Sequence, residues 1–281
     1  MHSPPHFVVI NLNRDTMRLA HMRNQFDRIG LSFERFAAIN GTDVPDALRG
    51  YFEQRVEDRS PLSAGEIGCY ASHLEICRRI VDGSLPAPLC ALEDDVEIPS
   101  DFAITLKLLL ERLPTDWDIV RLSNDTKRAV MPISRLRGPF KLVRYTNVPG
   151  STGASLISRS GAQKFLKTGV RTRPVDQDLR RVWAWDLETF GVIPAPVRRD
   201  VLGVSTIDAM AAVGWREESW RIARLRRRRV LEAPLRHLHG MRTFGPHRWL
   251  AAELINVAAA IAPRKRRAQT LTHLSALLGP S

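Results

Sequence analysis

Apolar positions along this chain switch between two periods, and the switches outline an alternation of strands and helices. The run Phe7-Val8-Val9-Ile10-Asn11-Leu12 is short, continuous and β-branched, which predicts a buried strand. Asp15 stands where it can cap a helix over 17–29, with Leu19, Met22, Phe26 and Ile29 on one side and Gly30 as its stop. A second strand over 33–39 closes at the turn dipeptide Asn40-Gly41. This opening predicts a βαβ unit. After a polar, irregular stretch over 42–62, Ser63-Ala64-Gly65-Glu66 has the spacing of a capping box. It predicts a helix to about residue 81, with Ile67, Tyr70, Ala71, Leu74 and Ile80-Val81 as its apolar face and Gly83 as its stop.

The same reading continues downstream. Leu89-Cys90-Ala91-Leu92, bounded by Pro88 and Pro99, predicts a buried strand. A helix starting at Pro99-Ser100-Asp101 carries Phe102, Leu106, Leu109, Leu110 and Leu113. Strands are expected over 118–122, 141–145 and 153–158, a short helix from Ser160-Gly161 through Phe165-Leu166, and a helix from Pro174-Val175-Asp176 to about 185. Residues 194–197 read as extended. Strands alternating with helices make the fold class α/β.

Length and charge divide the chain unevenly. With 281 residues and 44% hydrophobic content, it suits one large domain, or one domain with an appendage. The net charge is +12, yet residues 216–281 alone hold 14 Lys+Arg against 4 Asp+Glu. We therefore expect a near-neutral domain over 1–212 and a basic, mainly helical extension over 213–281. In the extension, Trp220, Ala223 and Leu225 interleave with arginines, Arg226 to Arg229 are consecutive, 249–261 reads as an apolar helix, and Arg264-Lys265-Arg266-Arg267 follows. Arginines beside Trp and Leu suit an interfacial helix on anionic lipid, or else a charged face packed on the domain. Nucleic acid is not expected, since no zinc-finger spacing or aromatic-rich RNA motif accompanies the charge. Apolar stretches are too short or too charged to span a bilayer, and residues 1–12 lack a signal-peptide pattern. Three cysteines make no disulfide framework, so a reducing, cytoplasmic location is expected.

The candidate chemistry sits where the third strand ends, in Glu93-Asp94-Asp95. Ligands of open α/β sheets bind beyond the carboxyl ends of strands. Three adjacent anions need solvent or a counter-charge, and Mn²⁺ or Mg²⁺ would serve. In an extended chain Glu93 and Asp95 point one way and Asp94 the other, so Glu93 and Asp95 are the expected metal pair. Cys69, His73 and Cys77 form a ladder on one helical face, but cysteines about 12 Å apart cannot share one ion with the histidine. They read instead as small buried hydrophobes. A metal-dependent nuclease or phosphatase, or a binding module without turnover, are the rival readings of the acidic cluster.

Four stretches together resemble glycosyltransferase family 25, the lipooligosaccharide galactosyltransferases and related lipopolysaccharide-biosynthesis enzymes. They are Val9-Ile10-Asn11-Leu12-Asn13-Arg14 with Arg18; Phe33-Glu34-Arg35-Phe36-Ala37-Ala38-Ile39-Asn40-Gly41; Leu62-Ser63-Ala64-Gly65-Glu66-Ile67-Gly68-Cys69-Tyr70-Ala71-Ser72-His73 followed by Leu92-Glu93-Asp94-Asp95-Val96; and Gly153-Ala154-Ser155-Leu156-Ile157-Ser158-Arg159 with Pro174-Val175-Asp176. The resemblance implies a GT-A-like nucleotide-sugar-binding fold and transfer of a sugar, galactose by family, from a UDP-sugar to a lipopolysaccharide-type glycan or glycolipid. Two departures are a Glu at 93 where the family's acidic motif often opens with Asp, and Ser155 where an aromatic residue is common. By resemblance, Asn11, Leu12, Arg14, Arg18, Ser72, His73, Asp94, Gly153, Ala154 and Ser155 line the donor site, and Glu93 and Asp95 hold the divalent metal. An inverting transfer needs a base for the acceptor hydroxyl. Asp176, Asp178 and Asp186 are candidates; Asp176 matches the family stretch, and Asp95 is counted with it among the catalytic carboxylates.

Overall fold

The computed structural model describes residues 4–53, 62–199, 227–228 and 230–279. Its described residues form an eight-stranded sheet flanked by helices, the α/β class that the alternation predicts. In chain order the first elements are β1 (His6–Asn11), α1 (Thr16–Arg28), β2 (Glu34–Ala37), α2 (Asp46–Arg49), α3 (Ala64–Asp82) and β3 (Leu89–Glu93). Then come α4 (Phe102–Arg112), β4 (Ile119–Arg121), β5 (Val130–Arg135), β6 (Lys141–Tyr145), β7 (Ala154–Ile157), α5 (Arg159–Phe165), α6 (Val175–Leu179), α7 (Val182–Trp185) and β8 (Thr189–Ile193). The sheet order is β2-β1-β3-β7-β4-β8-β6-β5. β2, β1 and β3 run parallel, while β7 lies antiparallel between β3 and β4.

Two apolar layers hold the sheet. Phe7, Val9, Cys90 and Leu92 face Met22 and Phe26 of α1 and Phe102, Leu106 and Leu109 of α4. Val8, Leu89 and Ala91 face Tyr70, Leu74 and Cys77 of α3, with Phe165 and Trp185 beyond. Burial of both faces explains why these strands read as continuous apolar runs rather than alternating ones. The capping box is present: Glu66 N–H donates to Ser63 Oγ, Ser63 N–H donates to the Glu66 carboxylate, and Gly83 takes the left-handed conformation beyond the last turn. Gly68 is a packing requirement, because a Cβ there would lie 2.5 Å from the Ile39 carbonyl oxygen. Its absence lets the segment after β2 press against α3.

Several expectations need correction. Asp15 occupies the position before α1, but its side chain makes no capping hydrogen bond. The helix expected from Pro174 to residue 185 is two short helices, α6 and α7, with Arg180 and Arg181 between them. Here the buried Asp178 takes bonds from Tyr70 Oη at 2.9 Å and Arg181 Nη1 at 3.1 Å, anchoring the break. The strands β5 and β8 carry no expectation above, and the short helix α2 falls within the stretch over 42–62 that reads as irregular.

The extension contributes α8 (Ala233–Phe244), α9 (Pro246–Ile261) and α10 (Arg267–Ser275). β5 is the edge of the sheet, and an open edge invites pairing with other chains. The extension covers it: Ala129 N–H donates to Asn256 Oδ1 at 2.8 Å and Val130 N–H to Ser275 Oγ at 3.3 Å. Ala252, Ile255 and Leu278 pack on Ala129 and Met131. Arg173 grips Glu232 with two bonds, at 2.9 and 2.8 Å, tying the extension to the segment before α6. The expected boundary at 212/213, and most of the arginine-rich run over 216–231, lie outside the described residues.

Candidate active site

β1 and β3 are adjacent and parallel, with Ile10 opposite Glu93, so the segments leaving both strands emerge side by side. They open into a cavity of about 590 Å³, walled by residues 10–18 on one side, by α3 on another, and by Ser151, Thr152, Asp176 and Arg199 across from them. Leu12, Arg14, Arg18, Ser72, His73, Glu93, Asp94, Asp95 and Asp176, all singled out from sequence, line it.

The acidic turn departs from simple strand alternation. β3 ends at Glu93, so Asp94 and Asp95 fall in a turn and all three carboxylates border the cavity. Asp94 is held at 2.7 Å by Asn11 Nδ2 and at 3.1 Å by Arg18 Nη1. Arg18 also lies 3.7 Å from Asp95 Oδ2, so part of the counter-charge is built into α1. Asn11 does not line the cavity; it supports Asp94 from below, and Arg35 Nε fixes its amide oxygen at 3.0 Å. Glu93 faces Arg199 at 3.8 Å and accepts a short hydrogen bond from Thr152 Oγ1. Burial pushes its proton affinity above the ordinary glutamate value and Asp95 adds to this, while Arg199 opposes both.

Arg14 borders the cavity with more than half of its side chain exposed. Ser72 Oγ is committed to the fold, donating to the Gly68 carbonyl at 2.8 Å and accepting from Ile39 N–H at 2.9 Å. His73 is buried, and burial together with the nearby Arg121 charge lowers its pKa to about 4, so it is neutral at pH 7. Among the candidate bases, only Asp176 reaches the cavity. Asp178 is the structural anchor already described, and Asp186 closes α7 in a left-handed conformation.

Gly153, Ala154 and Ser155 do not line the cavity. Ala154 belongs to the apolar core and Ser155 is buried. Gly153 works through the backbone: its carbonyl accepts from Glu93 N–H at 2.9 Å, and a Cβ there would lie 2.7 Å from Arg199 Cδ. It thereby seats both Glu93 and Arg199.

Three site residues have no place in the sequence reading. Thr152 and Arg199 line the cavity beside Glu93. Arg121 lies beneath it, 1% exposed, with none of its three side-chain nitrogens hydrogen-bonded and with Glu93 and Asp176 among the charges acting on it. A lone arginine inside Ile119-Val120-Arg121-Leu122 is the signal that could have marked it.

Comparison with known proteins follows the same residues. The model of glycosyltransferase family 25 (LPS biosynthesis protein) matches residues 4–178. A "Glycosyltransferase 25 family member" of Aedes aegypti is 31% identical over 190 residues, covering 61% of this chain and 30% of the relative. "Procollagen galactosyltransferase 1-A" of Xenopus laevis is 34% identical over 124 residues, covering 42% and 20%. The mouse "Inactive glycosyltransferase 25 family member 3" is 25% identical over 271 residues, covering 83% and 44%. This chain thus spans less than half the length of these relatives. A solved glycosyltransferase "involved in the glycosylation of the major capsid of PBCV-1" aligns with 75% of this chain and all of its own at 11% identity and a TM-score of 0.34, too low to bear on the fold. Because the family model covers more than half of the sequence, from β1 into α6, the chain belongs to glycosyltransferase family 25.

Proposed function

We propose that this protein transfers a sugar, galactose by its family, from a UDP-sugar to a lipopolysaccharide-type or other surface glycan, with inversion at the anomeric carbon. One observation carries the reading: a single cavity at the strand ends is bordered by Arg14 and Arg18, by the acidic turn, and by Asp176. Arg14 and Arg18 would receive the diphosphate of the donor beyond β1. Asp94, held by Asn11 and Arg18, serves to position Arg18 rather than to bind a cation. Asp176 would take the proton of the acceptor hydroxyl as its oxygen attacks the anomeric carbon and the bond to the diphosphate breaks.

Glu93 and Asp95 suit a divalent cation. Both present hard carboxylate oxygens; burial chiefly, and the neighbouring Asp95 charge in addition, raise the proton affinity of Glu93, and a shared cation would offset both by stabilising the charged carboxylate. Mn²⁺ or Mg²⁺ held there would supply charge to the departing diphosphate.

The extension suits an anionic membrane surface. α9 turns Trp249, Ala252, Ile255 and Ala259 inward and leaves Leu250, Leu254, Val257 and Ile261 exposed by 55% or more. That stripe is followed by the exposed Lys265, Arg266 and Arg267, which favours lipid headgroups of negative charge. No helix among the described residues is long and apolar enough to cross a membrane. A cytoplasmic enzyme docked on the inner leaflet would meet a lipid-linked acceptor there.

The test is nucleotide release from a panel of nucleotide sugars, with and without Mn²⁺ or Mg²⁺ and with glycan acceptors. Metal-dependent release from a UDP-sugar supports the reading. Binding without release on any acceptor would favour a non-catalytic module, as the name of the mouse relative suggests for that protein. Neither binding nor release would overturn both.

A further inference from the structure

The helical ladder acquires a different third member in three dimensions. Cys69 and His73 lie four residues apart on α3, so they share one face. Cys77, a further turn on, is buried in the apolar layer against the sheet and does not reach the cavity. In its place stands Glu93, at the end of β3. One ligand atom from each of Cys69, His73 and Glu93 lies within 4.8 Å of the other two. A tetrahedral ion with bonds of about 2.0–2.3 Å spaces its ligands by roughly 3.5 Å, so about 1 Å of side-chain adjustment closes the set. A second observation points to a ligand at this place. His73 is 6% exposed, lines the cavity, and its Nε2 has no hydrogen-bond partner. A buried polar atom left unpaired carries a desolvation cost that a bound ligand would remove.

We propose that Cys69, His73 and Glu93 form a binding site for a soft divalent cation, zinc, with the fourth position open to the cavity. Sulfur, imidazole and carboxylate are the ligand classes zinc accepts, and a site with three protein ligands retains an exchangeable position. Mg²⁺ would not select it, since a thiolate is too soft a ligand. Binding breaks the Cys69 S–H bond, forms the zinc–sulfur bond and releases the proton to solvent. Thr152, hydrogen-bonded to Glu93, and Arg199 on its other side would orient that carboxylate. One consequence rests on the function proposed above: Glu93 cannot serve both ions, so zinc would inhibit sugar transfer supported by Mg²⁺.

The experiment titrates the reduced, untagged, full-length protein with Co²⁺, a spectroscopic substitute for zinc, and then displaces it with Zn²⁺. The expected result is one equivalent of cobalt with thiolate-to-metal charge-transfer and tetrahedral ligand-field bands. Cys69→Ser should abolish the charge-transfer band and His73→Gln should weaken binding by at least about tenfold, while Cys77→Ser should keep both features. Circular dichroism and thermal melts establish that each variant is folded. Absence of a charge-transfer band in the unaltered protein, its survival in a folded Cys69→Ser, or its loss in a folded Cys77→Ser would overturn the proposal. Failure of the transferase reading shows separately, as no nucleotide-sugar binding with Mg²⁺ in the unaltered protein, whatever cobalt does.

Discussion

Acidification should destabilise this protein through His73, and the size of the effect follows from the site. Burial lowers the folded-state pKa of His73 from 6.5 to about 4, with the Arg121 charge acting in the same direction. Between those values the unfolded chain binds a proton that the folded one refuses, so stability falls as pH drops. Integrating from about pH 7 to about pH 4.5 gives a loss of about 2.5 kcal/mol attributable to this group, at 1.36 kcal/mol per pKa unit. The assay is urea unfolding at both pH values in the presence of a chelator, for the unaltered protein and for His73→Gln. Every other titrating group is common to the two, so the difference isolates the imidazole. The unaltered protein should lose about 2.5 kcal/mol more than His73→Gln over this range, and NMR of the imidazole protons should place the folded-state titration near pH 4. Equal losses, within about 0.5 kcal/mol, would refute the reasoning, because the ring would then be solvated or paired in the folded state.

Other perturbations address the remaining parts. Asp176→Asn should cut turnover by about 10²–10⁴-fold, the range of a general base, with nucleotide-sugar affinity little changed in calorimetry. Gly68→Ala should cost about 1–3 kcal/mol in chemical denaturation, because its methyl meets the Ile39 carbonyl oxygen and the Gly41 nitrogen, both backbone atoms that cannot swing aside. Leu254→Glu with Ile261→Glu should abolish co-sedimentation with anionic vesicles and leave the melting temperature unchanged, since both side chains are exposed. Unchanged sedimentation would remove the lipid-docking role of α9.

Legibility in the sequence tracked how completely a segment is buried. β1, β3 and β4 are covered on both faces and announce themselves as apolar runs. β5 does not: Val130-Met131-Pro132-Ile133-Ser134-Arg135 lies at the sheet edge, is interrupted by a bulge near Pro132, and ends in the polar pair Ser134-Arg135. β8 is apolar enough in Phe190, Val192 and Ile193, but Thr189 and Gly191 dilute the pattern. The extension packs one face of α9, so its sequence shows apolar residues all round without revealing which stay exposed.

The candidate site followed a similar rule. Glu93, Asp94, Asp95, Arg18 and Asp176 are marked by charge at predicted element ends, where a fold leaves room for ligands. What the linear chain could not show is the pairing across elements: Asn11 with Asp94, Thr152 with Glu93, and Cys69 with Glu93 rather than with Cys77. Arg121 makes the limit plain. A charged residue within an apolar strand reads as an outward-facing side chain, yet its neighbours Ser155 on β7 and Gly191 on β8 are small. Ser155 leaves room beside the guanidinium, whereas the space over Gly191 is taken by the Tyr145 ring. Isolated there, the cation is costly unless anions lie close. Glu93 and Asp176 are those anions. The two carboxylates assigned to different chemical tasks therefore share one buried counter-charge, and a change at either would alter the electrostatic setting of the other.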